Sequence, residues 1–209
     1  MTSISTQERI LQVASKLFMS QGYGATSTRM IADEADITQP NLYYHFSGKE
    51  ELFVASYRHV SKQAAEHLRA IVQSDDNLGP EEHLQRAVSF RRKLVAMSLY
   101  LTDELPINIP ILMKDIRQNM SDVTSTELQD VWTQSYLKPF IDLFDEYTSI
   151  MTRDIAQSYL MTFYLTFLSS YMQLHNLQEQ TLTVEQGVDI FIKSCVDPKI
   201  GILTNVDQQ

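Results

Sequence analysis

With one cysteine in 209 residues, Cys195, the chain can form no intrachain disulfide, which favours a reducing compartment. Its ordinary role is that of a small buried apolar residue near a helix end. The motifs of catalysis are missing as well. There is no H-E-x-x-H, no P-loop, no G-x-S-x-G and no Cys/His cluster at metal spacing, and His59, His67 and His83 are dispersed. No enzyme, metal site or cofactor is therefore expected. The N-terminus, MTSISTQERI, lacks the basic and apolar regions of a signal peptide. Residues 155–178 carry no charge over 24 positions, yet only 14 of these are apolar, and Gln157, Ser158, Gln173, His175 and Asn176 interrupt the run. A spanning helix needs about 20 predominantly apolar residues. A soluble, cytoplasmic chain without a membrane segment is the expectation.

Positive charge is scarce overall. The net charge is −9, so the molecule as a whole repels polyanions, and any contact with nucleic acid must come from a local patch. The acidity is unevenly placed. Residues 1–67 carry 6 Lys/Arg against 7 Asp/Glu, and residues 68–209 carry 11 against 19. A nearly neutral N-terminal third thus precedes an acidic remainder.

Alternating strand patterns are absent, and apolar residues recur at helical spacing throughout. This predicts an all-α fold of about nine helices, with an N-terminal three-helix helix-turn-helix and a C-terminal helical body. Ser5 and Glu8 form a capping box for the first helix, and Gly22 stops it. Thr26 is the expected N-cap of the second helix, and Thr38 opens a third with Leu42 and Phe46 inward. Ser47 and Glu50 form a second box, starting a long connecting helix over about 48–73. The stretch SDDNLGP, 74–80, marks a hinge, so residues 1–50 form one expected domain and 74–209 the other. Further helices are expected at about 81–102, 111–120, 125–150 (bent near Pro139), 153–177 and 184–196, with a loop at ELPINIP and a loose tail from Asp197.

The stretch TQPNLYYHFSGKEEL, residues 38–52, carries more polar and aromatic surface than a packed core requires. Pro40 falls in a first helical turn, where a missing N–H costs little. With Leu42 and Phe46 inward, Gln39, Pro40, Asn41, Tyr43 and Tyr44 are pushed outward or to the flanks. Gln and Asn can pair with adenine edges, and proline can touch a thymine methyl. Tyr43, Tyr44 and His45 suit phosphates and sugars. Lys49 opposes the macrodipole in the first turn of the next helix, so local stability does not ask for it; an anion there would be held by the lysine and by free N–H groups. Ala32 fits a close helix crossing. Asp36 fits a sharp turn, because Asp enters the left-handed region at modest cost.

RILQVASKLFMSQGYGATSTRMIADEADITQPNLYYHFSGKEELF, Arg9 to Phe53, resembles the N-terminal DNA-binding domain of the TetR (tetracycline repressor) family. That pattern runs R-x-x-I/L-L, G-Y/F-x-x-T-S/T, I-A-x-x-A-G-V-S and L-Y-x-H/Y-F-x-x-K-E-x-L, and Asp36 departs from its usual glycine. The resemblance implies a regulator, in most cases a repressor, that binds a palindromic double-stranded operator as a homodimer and is released by a small effector. It further implies that Ser27, Thr28 and Arg29 meet phosphates, that Thr38, Gln39, Pro40 and Asn41 lie on the base-reading helix, and that Tyr43, Tyr44, His45 and Lys49 hold the DNA backbone.

Beyond Leu78 no such motif appears. Helix 153–177 is apolar almost all round and must be covered on more than one side. Tyr164, Leu168 and Tyr171, with Val188, Phe191 and Ile192 of the last helix, are the expected dimer face. Met97, Tyr100, Met113, Met120, Trp132, Tyr136, Phe140, Phe144, Phe163 and Phe167 are candidates for an adaptable apolar ligand cavity. Asp103, Glu104, Asp115, Asp130, Asp142 and Glu146 would favour a cationic ligand. The rival reading is a helical protein-interaction module without sequence-specific DNA binding.

Overall fold

Ser5 accepts a hydrogen bond from the Glu8 amide at 3.2 Å and so caps α1 (Thr6–Gln21) in this computed structural model. The structure describes residues 4–74, 78–79, 82–105, 109–152, 157–176, 182–197 and 200. Gly22 ends α1 at φ +88°, and its N–H returns to the Phe18 carbonyl. The cap of α2 (Thr28–Glu34) is Ser27, not Thr26: Ser27 accepts from the Met30 amide, while Thr26 is buried and donates to the Gly22 carbonyl at 2.8 Å. Adjacent hydroxyl residues are equally competent caps, and burial selected between them. Thr38 opens α3 (Gln39–His45). At the start of α4 (Lys49–Gln73), Glu51 replaces the expected Glu50, since the Ser47 N–H and hydroxyl both donate to Glu51 Oε2, at 2.7 and 2.5 Å. These bonds pull the Glu51 carboxyl below the usual range. Their stabilisation is present above the unfolded value and is lost as pH falls through the folded one.

Helix α5 (His83–Leu99) runs into a π turn (Tyr100–Glu104). Helix α6 (Ile109–Asn119) begins slightly before the expected 111, with Pro110 in its first turn, where no hydrogen bond is lost. The single bent helix expected over 125–150 is α7 (Asp122–Trp132), a π turn (Thr133–Leu137) and α8 (Lys138–Glu146) in unbroken succession. Pro139 cannot donate to the Ser135 carbonyl, and the wider turn lies directly before it. Helices α9 (Gln157–Asn176) and α10 (Val184–Cys195) follow. Counting α7, its π turn and α8 as one rod, the described residues form nine helical rods and contain no β-strand. Residues 75–77 and 80–81 of the expected hinge, 106–108 of the expected loop and most of the expected tail lie outside the described residues.

Contacts gather the chain into two compact units that do not follow chain order. One comprises residues 1–66 and 106–136, and the other 67–105 and 137–209. In the first, Ile10, Ala14, Leu42 and Phe53 are fully buried, and Phe18 meets Phe53 edge to face at 5.3 Å. Tyr57 is also fully buried, and among the described residues its hydroxyl makes no well-aligned hydrogen bond, since the neighbouring Ser61 Oγ donates instead to Tyr136 Oη at 3.3 Å. Tyr57→Phe is therefore expected to raise stability by about 1 kcal/mol, because an unpaired buried hydroxyl costs that much. A lowered thermal midpoint would contradict this.

The second unit packs Phe90, Phe144, Tyr147, Tyr164 and Phe191. Buried Lys93 donates to the Val72 carbonyl at 2.8 Å and reaches Glu146 Oε1 at 3.4 Å. Arg91 makes a two-pronged contact with Asp189, at 2.5 and 3.0 Å, tying α5 to α10. A Cβ on Gly187 would collide with the Phe167 ring, so α9 and α10 approach closely there only because α10 has a glycine. Cys195 is buried, and desolvation pushes its thiol up to about 12. Among the described residues no helix is long and apolar enough to cross a membrane.

Candidate nucleic-acid interface

Asp36 adopts φ +53°, the left-handed turn its side chain tolerates, and the chain reverses between α2 and α3 as the Ile37 amide bonds the Ala32 carbonyl at 3.0 Å. Ile31, Ala32, Ala35 and Leu42 are buried between these helices. With Leu42 inward, Gln39, Pro40 and Asn41 are exposed, and so are Tyr43 (49%) and Tyr44 (84%). This strip of outward polar and aromatic groups stands on a helix whose other face is fixed in the core.

The remaining expected contact residues surround it. The hydroxyls of Thr28 and Tyr43 lie 3.1 Å apart, joining the start of α2 to α3. Ser27 and Thr38 are occupied as caps, Thr38 accepting from the Asn41 amide at 3.4 Å. Arg29 is exposed and sits 3.9 Å from Asp33. His45 is half-buried, its ring edge-on to Tyr44 at 5.2 Å.

Lys49 is not simply solvated. Its Nζ lies 4.1 Å above the centre of the Tyr23 ring. Desolvation lowers its pKa, and the nearby Asp115 charge works the other way. Tyr23 is itself packed on Phe18 (6.0 Å, 17°) and Phe53 (5.2 Å, 78°). Burial, and secondarily Glu50, raises its phenol pKa. Sequence reasoning missed the part Tyr23 plays, although it stands in the quoted glycine-tyrosine segment. It also missed Asp115 as a partner of this turn.

Residues 10–56 match the family model described as bacterial regulatory proteins, tetR family. This N-terminal segment carries the TetR-family pattern. The HTH-type transcriptional regulator YerO of Bacillus subtilis is 26% identical over 163 residues, covering 74% of this chain and 54% of YerO. The HTH-type transcriptional regulator QacR of Staphylococcus aureus is 43% identical over 51 residues, 24% of this chain and 27% of QacR. The match therefore spans about half the length of YerO and about a quarter of QacR. The crystal structure of a TetR transcriptional regulator from Legionella pneumophila shares the fold, with a TM-score of 0.67 at 21% identity over 94% of this chain and 100% of that one.

The expectations for the C-terminal part of the chain fare differently. The expected dimer face turns inward: Tyr164, Leu168, Val188, Phe191 and Ile192 are all buried within their own unit, and Tyr171 is half-buried. Among the described residues, the large apolar side chains exposed on α9 and α10 are instead Tyr159, Phe163 and Ile190. The ligand candidates are divided between the two units. Met120, Trp132 and Tyr136 belong to the first unit, whereas Met97, Tyr100, Phe140, Phe163 and Phe167 belong to the second. Met97, Tyr136 and Phe140 are buried core, Phe163 is exposed, and the side chain of Met113 lies outside the described residues. Among the described residues two open pockets occur in the second unit, and of the candidates only Phe144 lines one of them. One, of about 340 Å³, is lined by Ile141, Phe144, Asp145, Ser158 and Met161, and the other, of about 370 Å³, by residues of α5 and Leu78. Several expected acids are engaged by the chain: Asp115 by the Tyr23 amide, Asp142 by Lys138 and Glu146 by Lys93. Asp103, Glu104 and Asp130 stand exposed.

Proposed function

We propose that this chain is a transcriptional repressor that grips a palindromic duplex operator as a homodimer and is released by a small lipophilic ligand. The observation that carries the DNA-binding part is α3: Leu42 is fully buried while Gln39, Pro40, Asn41, Tyr43 and Tyr44 stand outward on the same two turns. Such a helix, held rigidly and displaying amide and phenol groups, suits a major groove. Gln39 and Asn41 read bases. Tyr43, Tyr44, His45 and Lys49, with Ser27, Thr28 and Arg29, hold the phosphates and sugars on either side. Residues 1–50 are the reading head, and 74–209 the body that pairs two heads. Two-fold pairing sets the reading helices roughly 34–36 Å apart, one turn of DNA.

The exposed Tyr159, Phe163 and Ile190 of α9 and α10 support pairing through this part of the body, because three large apolar groups on neighbouring helices gain by being covered. The pocket beside Ile141 and Met161 is of a size that holds small apolar ligands, with Asp145 at its edge. A ligand there releases DNA by binding more tightly to the dimer in its non-DNA spacing.

Selection of bound sites from random duplexes tests the central reading. The purified chain is expected to enrich an inverted repeat. Gln39→Ala and Asn41→Ala should each relax preference at particular bases by about 1–3 kcal/mol, leaving other positions unchanged. Failure to enrich any sequence at low salt would sink the reading and favour a protein-interaction role.

A further inference from the structure

Helix α6 holds the turn between α1 and α2. Asp115, 8% exposed, points its Oδ2 at the Tyr23 amide, which donates to it at 2.6 Å across 92 positions of sequence. Its Oδ1 and carbonyl accept from Asn119 Nδ2 at 3.2 and 3.3 Å. The fit over Gly22 is tight, with Asp115 Oδ2 and Ile111 Cγ2 both filling the space a side chain would take. Tyr23 is thereby fixed at its main chain by Asp115 and at its ring by Phe18 and Phe53. The outer face of that ring carries the Lys49 ammonium.

We propose that Asp115 is a positioning residue for DNA binding, acting through Tyr23 to set where the Lys49 ammonium stands. A lysine side chain has four rotatable bonds, and ordering it on a phosphate costs entropy unless something has already ordered it. The Tyr23 ring does this, and Asp115 keeps the ring in place. Asp115 contributes to DNA affinity without touching DNA, despite a negative charge that by itself repels the phosphates. The two effects have opposite signs, so an isosteric change separates them. Asp115→Asn keeps an oxygen for the Tyr23 amide and removes the charge, whereas Asp115→Ala removes both.

The inference rests on Lys49 being a phosphate contact, and the two ways of failing give different results. Affinity of the full-length chain for a selected duplex is measured by fluorescence anisotropy across a salt series. Asp115→Ala should weaken binding about tenfold, the size of effect expected from losing a hydrogen bond to a charged acceptor. It should also flatten the salt dependence by about 0.9 per head, the signature of one lost phosphate contact. In a Lys49→Ala background the same change should add almost nothing, and Asp115→Asn should stay within about threefold of the parent, because the hydrogen bond survives. Should Asp115→Ala not fold, Tyr23→Leu carries the same test, since it keeps the amide and removes the ring. An unchanged salt slope in these variants, full additivity with Lys49→Ala, or binding by Asp115→Asn as weak as by Asp115→Ala would overturn the proposal. A parent chain that binds no duplex would instead refute the DNA-binding reading itself.

Discussion

Gly22→Val is expected to destabilise the N-terminal unit by about 3–5 kcal/mol, combining a backbone conformation open almost only to glycine with a steric clash. Gly22 sits at φ +88°, ψ 168°, and a Cβ there would lie 2.6 Å from both Asp115 Oδ2 and Ile111 Cγ2. Neither neighbour has room to yield without cost. Asp115 is held by the Tyr23 amide and Asn119, and both neighbours belong to the helix packed over the turn. Gly24, two residues on, gives the matched control: a Cβ added there would meet nothing within 4 Å, and its φ is not positive. Gly24→Ala should therefore change stability by less than about 0.5 kcal/mol. Urea unfolding of both variants measures the difference, and equal midpoints would show that Gly22 is an ordinary turn residue.

Lys49→Ala is expected to cost about 10–100-fold in operator affinity at moderate salt, since a dimer would lose one phosphate contact in each of two heads. The slope of log affinity against log salt should fall by about 1.8, and parent and variant should converge as salt rises. The free protein should lose little, because the contact of Lys49 with the Tyr23 ring contributes about 0.5–1 kcal/mol at a partly exposed site. Affinity and stability thus separate, which would not happen if Lys49 were only a packing element. A salt slope identical to the parent's would exclude Lys49 from the phosphate contacts.

The reading head was legible because what builds it is local. Ser5 and Glu8, Thr38 and Pro40, and the tolerant Asp36 each act within a few residues, and the 3.6-residue spacing around Leu42 and Phe46 assigned the outward face of α3. Local rules erred by one position where two neighbours were equally able, as with Thr26 and Ser27 or Glu50 and Glu51. Glu50 was drawn away by a distant group, the Thr124 hydroxyl, which donates to it at 2.9 Å.

The body was much less legible. Helix α9 is apolar on nearly every side, so its periodicity carries no phase and cannot say which residues face inward. Packing against α5, α8 and α10 decided that Tyr164 and Leu168 turn in and Tyr159 and Phe163 turn out. The grouping of α6 and α7 with the head was equally hidden, because it rests on contacts such as Asp115 with Tyr23 that join residues 92 apart. By itself the sequence determined where most helices lie, the caps of α1 and α3 and the outward groups of α3, since these follow from forces acting within one or two turns. Only the tertiary structure decided the inward face of α9 and the seating of Lys49 on a ring held by Asp115, since both depend on which surfaces meet once the chain has closed.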